Sequence, residues 1–154
     1  MGFGIAILLS EKKLPTERYV SFVNACTSIF GNWDIDELAP LNLNANETVH
    51  DFAIVTGTTD ETRERVWVTL ERREFMKKYG RGRRKIFWQI YTETKAGRGP
   101  QSLALQFLIP LQAFAFFADP VVLVEFDSEK VFVERNNYEA FAKREIALAV
   151  AKNF

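Results

Sequence analysis

The chain begins with an apolar run, Phe3 to Leu9, closed by the polar stretch Ser10-Glu11-Lys12-Lys13. A short apolar run bounded by charges predicts a buried strand. Pro15-Thr16-Glu17 then opens a helix, along which Tyr19, Val23, Cys26 and Phe30 recur at helical spacing until Gly31 stops it. Residues 32–48 are rich in Asn and Asp and contain Pro40, which predicts a long loop with a short strand around Leu41–Leu43. The run from His50 to Thr56, with Phe52, Ile54 and Val55, predicts a second long strand.

The next segment carries two conflicting signals. Thr58-Thr59-Asp60-Glu61 has the form of a helix capping box, and helix-compatible charged residues follow up to Gly80. Val66, Val68 and Leu70, however, alternate with Arg65, Trp67 and Thr69, which is the period of a strand. On a helix these apolar residues would scatter around the axis, so residues 63–72 are predicted as a strand, hairpinned to 49–57. Residues 85–94 alternate more clearly, with Ile86, Trp88 and Ile90 on one face and Phe87, Gln89 and Tyr91 on the other.

Gly97-Arg98-Gly99-Pro100 ends that strand, and Pro100 suits the first turn of a helix. Residues 101–118 are apolar almost all round, which predicts a central helix with a kink at Pro110. Val121–Phe126 and Val131–Glu134 predict a hairpin about the turn Asp127-Ser128-Glu129-Lys130. Asn136, with Glu139 three residues on, caps a last helix running to about Lys152. The expected fold is a single α+β domain over 1–154, two-layered, with an antiparallel sheet and three helices. The order admits a duplicated βαββ unit followed by a C-terminal helix. Leu8-Leu9-Ser10-Glu11-Lys12-Lys13 parallels Ile90-Tyr91-Thr92-Glu93-Thr94-Lys95, each followed by Pro and a helix.

This order resembles the paired βαββ architecture of gyrase-inhibitor-like effector-binding domains. Without its first strand it is also similar to the αβββαββα order of type III secretion chaperones. Both resemblances imply non-catalytic binding, and neither rests on a sequence motif. The closing helix departs from the first family and the opening strand from the second.

Composition narrows the function classes. Apolar residues make up 47% and charged residues 26%, which excludes a disordered chain. The N-terminal apolar run lacks a basic leader and is too short for a signal sequence. A single cysteine excludes an internal disulfide and suits a reducing compartment, so the expected location is cytoplasmic and the Asn46 sequon is not expected to carry glycan. The apolar stretch Leu103–Phe126 holds Gln106, Pro110, Gln112, Asp119, Pro120 and Glu125, which argues against a membrane span.

Net charge is zero but unevenly spread. Tyr19 to Thr62 holds seven acids and no Lys or Arg, whereas Arg72 to Arg98 holds ten basic residues against Glu74 and Glu93. Such asymmetry bears on partners rather than on fold.

Candidate catalytic residues are sparse. His50 has Asp51 beside it, but neighbours on a strand point to opposite faces and cannot pair. Cys26 lies on an apolar helical stripe with no nearby cation to activate it. Asp34, Asp36 and Glu37 offer carboxylates, which at loops and strand ends are usually solvated. No catalytic residue, metal ligand or cofactor is therefore assigned, and an enzyme ranks third among the readings.

Two surfaces rank higher. The face carrying Arg65, Trp67, Phe87, Gln89, Tyr91 and Glu93 has the composition of a protein or small-ligand interface, or of a homodimer contact. Within Lys77–Lys85, the cations Lys77, Lys78, Arg81, Arg83, Arg84 and Lys85 flank Tyr79 and two glycines, a composition that suits a phosphate backbone. Lys95-Ala96-Gly97-Arg98-Gly99-Pro100, between strand and helix, is a weaker anion-binding candidate without the Gly-Lys-Ser/Thr of a phosphate loop. The expectation is a non-catalytic, self-associating binding domain; the alternative is a nucleic-acid binder acting through the basic loop 77–85.

Overall fold

The computed structural model describes residues 3–31, 33–56, 63–79, 81–94, 99–125 and 129–153. Its elements are β1 (Phe3–Leu9), α1 (Thr16–Thr27), β2 (Asp34–Ala39), β3 (Thr48–Thr56), β4 (Glu64–Tyr79), β5 (Gly82–Thr94), α2 (Pro100–Phe116), β6 (Val121–Glu125), β7 (Glu129–Phe132) and α3 (Arg135–Asn153). The seven strands form one sheet in the order β2-β3-β4-β5-β1-β6-β7, and every pairing is antiparallel. The α+β class, the antiparallel sheet and the three helices are thus as the periodicity predicts.

The helices share one face of the sheet. Ile7 and Leu9 of β1, Phe52 and Ile54 of β3, Val66, Val68 and Leu70 of β4, and Trp88 and Ile90 of β5 meet Tyr19, Phe22, Val23 and Cys26 of α1 and Leu105, Ile109 and Ala113 of α2. A second cluster joins Ile5, Val122 and Val124 to Phe107 of α2 and to Tyr138, Phe141 and Ala142 of α3. Large aliphatic and aromatic side chains that leave water completely contribute about 1.5–3 kcal/mol each, so these two clusters dominate the packing energy. Among the described residues the buried side-chain polar groups other than the Trp88 indole N–H are paired: Gln106 donates to the Thr92 carbonyl at 3.0 Å and accepts from the Thr94 hydroxyl at 2.8 Å, and the Tyr138 hydroxyl donates to the Phe107 carbonyl at 2.6 Å. Among the described residues no helix is long and apolar enough to cross a membrane.

Several boundaries differ from expectation, each for a local reason. The short strand lies at Asp34–Ala39, not around Leu41–Leu43. It is an edge strand whose pairing with β3 is made by backbone groups, so its acidic sequence shows no apolar alternation. The first half of the chain therefore carries one strand more than the βαββ order allows. Helix α1 stops at Thr27, which leaves Phe30 beyond the helix and exposed; Phe22 takes its expected place in the core. Pro110 sits inside a continuous α2, and Pro100 occupies its first turn as expected.

The largest difference is at the basic segment. It is not a loop: β4 and β5 continue past their neighbours as a paired two-stranded ribbon, with Met76 opposite Lys85, Lys77 opposite Arg84, Lys78 opposite Arg83 and Tyr79 opposite Gly82. A bulge between Arg72 and Phe75 marks where the ribbon leaves the main sheet. The capping-box residues Thr58–Glu61, residues 95–98 of the weaker anion-binding candidate and Asp127-Ser128 of the predicted turn lie outside the described residues.

Candidate functional site

Because the helices occupy one side, the opposite face of the sheet is, among the described residues, bounded by strands alone. Registers place Asp34 and Asp36, then Asp51, Ala53 and Val55, then Arg65, Trp67, Thr69 and Glu71 on this face. Gln89, Tyr91 and Glu93 follow on β5, then Gly4, Ala6 and Leu8, then Val121, Leu123 and Glu125. On strands β1 to β6 the registers give this face six acids and one basic residue, Arg65. Sequence reasoning from uneven charge along the chain misses this acidity, because it arises from strands far apart in sequence.

Of the predicted face residues, Trp67 lies opposite Glu93, and the pairs Thr69–Tyr91 and Glu71–Gln89 continue the same ladder. Trp67 and Tyr91 are half-buried, a state between core and open surface. Arg65 reaches across β3 to Asp36, with Nη1 3.1 Å from the carboxylate. Both side chains are substantially exposed, so the pair contributes at most about 1 kcal/mol. Gln89 belongs to a groove of about 510 Å³ at the ribbon's base, lined by Glu47, Thr48, Glu71, Arg72, Arg73, Glu74 and Phe75. Phe87 departs from the others: it packs against the main core cluster, with the Lys85 ammonium 5.5 Å from its ring centre.

Tyr91 is held in place by an absence. Its ring crosses β1 at Gly4, where an added Cβ would stand 1.9 Å from the hydroxyl oxygen, so no side chain fits there. Tyr91 packs with Phe75 and Tyr79 against Ala6, Leu8, Ile86, Val121 and Leu123, which gives this face a small apolar cluster of its own. Burial raises the Tyr91 pKa, and the charges of Glu125 and then Glu93 raise it further. The phenol is therefore a neutral hydrogen-bonding group at neutral pH.

The ribbon concentrates the other charge. No acid occurs between Glu74 and Glu93 in the sequence. Arg84 lies 5.6 Å from the Tyr79 ring centre and donates to the Asp119 carbonyl, which ties the ribbon to the chain leading into β6. Lys78, Arg81, Arg83 and Lys85 form no ion pair among the described residues. Like charges stand directly opposite one another at Lys77–Arg84 and Lys78–Arg83, which is destabilising in an isolated ribbon.

His50 and Cys26, two of the residues weighed for catalysis, are both buried. His50 is buried and bridges Tyr19, whose hydroxyl lies 2.6 Å from Nδ1, and Glu37, whose carboxylate lies 3.4 Å from Nε2. A neutral ring with its proton on Nε2 satisfies both contacts: Tyr19 donates to Nδ1, and Nε2–H donates to Glu37. Its partner is thus Glu37 on the neighbouring strand rather than Asp51. Tyr19 is only 1% exposed and His50 is buried, whereas Glu37 at the outer end of this chain of hydrogen bonds is exposed. Burial pushes the Cys26 thiol well above its ordinary range, which keeps it protonated and unreactive. Among the described residues no cluster of three or more His, Cys, Asp or Glu is arranged to hold a metal ion.

Comparison with family models, with curated proteins and with solved structures finds no match in any of the three.

Proposed function

We propose that this chain is a non-catalytic binding domain whose working surface is the helix-free face of its sheet, and that its first partner is a second copy of itself. The observation carrying this reading is the composition of that face. Half-buried Trp67 and Tyr91 stand among Arg65, Gln89 and Glu93, on the side of the sheet without helices. Aromatic groups with an Arg and an amide at their margin are what protein interfaces favour. Two acidic faces would repel if they met directly. The favourable arrangement sets the basic ribbon of each copy against the acidic border of the other, with the aromatic cluster supplying most of the affinity.

Sedimentation equilibrium across a micromolar concentration series tests this reading. Dimers are expected for the wild type and monomers of unchanged circular dichroism for Trp67→Glu. A wild type that stays monomeric at high micromolar concentration would reject it.

A second reading, nucleic-acid binding by the ribbon, is favoured by the stacked cations Lys77–Arg84 and Lys78–Arg83, whose repulsion a phosphate backbone would relieve. It calls for affinity to an arbitrary oligonucleotide that falls steeply with salt and is lost when Lys78, Arg81 and Arg83 become Glu. Arg84 is left intact because it holds the ribbon to Asp119. An oligonucleotide that does not bind at low salt removes this reading.

A further inference from the structure

A cleft on the helix side of the sheet shares only Arg72 with the groove at the ribbon's base. It measures about 420 Å³ and is lined by Lys12, Lys13, Leu14, Thr16, Leu43, Arg72 and Trp88. That volume falls within the range of small-molecule sites, roughly 300–1,000 Å³. Its chemistry is one-sided: three cations, three apolar side chains and one hydroxyl, with no acid in the lining.

The cations differ in how they are held. Arg72 is fixed: its guanidinium stacks 4.4 Å from the centre of the Trp88 ring, Nε donates to the Ala45 carbonyl, and Nη2 donates to the Leu43 carbonyl. Its Nη1 meets no acceptor among the described residues and keeps two N–H groups to offer. Lys12 and Lys13 are exposed on the short connection between β1 and α1, so their ammonium groups can turn toward the cleft at little cost.

A second observation is independent of the charges. Trp88 is only 3% exposed, and its indole N–H is buried without a hydrogen-bond partner among the described residues. A buried donor left unmade costs about 1–3 kcal/mol, and such groups are rare enough in native folds to call for an explanation. Helix α1 begins beside the same cleft at Thr16, and its first turn receives no side-chain cap. Arg72 Nη1 and the uncapped first turn of α1 thus offer donors at this cleft, while Leu14, Leu43 and Trp88 give it an apolar wall.

We infer that this cleft binds a small organic acid with an apolar body, its carboxylate taken by Arg72 and the two lysines and its hydrocarbon part lying against Leu14, Leu43 and Trp88. A neutral molecule of the same shape leaves the cations without a counter-charge. A cationic one meets three like charges.

Octanoate, 1-octanol and octylammonium are matched probes. Calorimetric titration of the wild-type chain is expected to show saturable one-to-one binding of octanoate, at least about tenfold weaker binding of octanol and none of octylammonium. Changing Lys12 and Lys13 together to Ala, at exposed positions that carry no packing, is expected to weaken octanoate by about tenfold or more while leaving thermal unfolding without ligand unchanged. Trp88 emission should follow the same saturation curve in a chain carrying Trp33→Phe and Trp67→Phe; calorimetry on the wild type stands if that variant folds poorly. Equal affinities for the acid and the alcohol would overturn the inference, as would no saturable binding or octanoate affinity unchanged in the lysine variant. Trp67→Glu, on the opposite face, is expected to leave octanoate binding intact, so failure of the dimer reading and failure of this one are separable.

Discussion

The Tyr91 ring occupies the space that a Cβ at Gly4 would need, and the pair makes a residue-scale prediction. Gly4→Ala forces the phenol off the sheet and should destabilise the fold by about 1–3 kcal/mol, the usual cost of overpacking. In a Tyr91→Ala background the same Ala should cost less than about 1 kcal/mol, because the obstacle is gone. Urea denaturation of the four chains gives the coupling energy directly. A coupling near zero would mean that the ring moves aside freely and that Gly4 has some other role.

His50 makes a second prediction at this scale. Burial lowers its pKa below the ordinary value of 6.5, outweighing Glu37 and Asp51, which act in the opposite direction. The folded chain thus binds a proton less readily than the unfolded chain. Its contribution is fully present above about pH 6.5 and is lost as pH falls toward the lowered folded value. Stability should decline as pH falls below about 6.5, and His50→Gln should flatten that decline while costing stability at pH 7. Equal slopes in the two chains would assign the acid sensitivity to carboxylates instead. That His50 falls on the Phe52 and Ile54 side of its strand was legible from the alternation. Its partners were not, because Tyr19 on α1 and Glu37 on β2 are brought to it only by the fold.

At the scale of elements, sequence pattern reports packing rather than hydrogen bonding. Strands β1, β3, β5 and β6 press one face onto helices, so their apolar residues repeat with period two or run continuously, and each was readable. Strand β2 and the outer parts of β4 and β5 pack little of that kind. Lys77, Lys78, Arg83 and Arg84 carry no apolar alternation, yet their backbones pair, and the segment therefore reads as a loop from sequence. The ribbon's stacked cations lead to a measurable consequence. Lys78→Glu, opposite Arg83, replaces repulsion with attraction and should stabilise the chain by about 0.2–1 kcal/mol. Added sodium chloride should raise the melting temperature of the wild type more than that of the variant, since screening relieves only the repulsive pair. A variant less stable than wild type at low salt would show that Lys78 has a favourable partner in the folded chain.

For the whole molecule, the arrangement of charge matters more than its sum. Net charge is zero, yet six acids border the strand-only face while the ribbon gathers six cations with no acid among them. The presence of an aromatic face was legible, because Trp67, Gln89, Tyr91 and Glu93 fall on alternate positions of two adjacent strands. Its acidity was not, since Asp34, Asp36, Asp51 and Glu125 join it only through the sheet order. If two copies associate through this face, the aromatic cluster should set the affinity and the ribbon the orientation and rate. Raising salt should then slow association while dimers persist at equilibrium. Trp67→Glu should abolish dimers without unfolding the chain, because Trp67 is half-buried on a face that no helix covers. Changing Lys78, Arg81 and Arg83 to Glu should slow association at low salt by about tenfold or more and remove most of its salt dependence. Stopped-flow association and sedimentation of the three chains measure these quantities separately. If the triple variant associates as fast as wild type, the ribbon takes no part in the contact; if Trp67→Glu unfolds the chain, Trp67 belongs to the core and the face is not an interface.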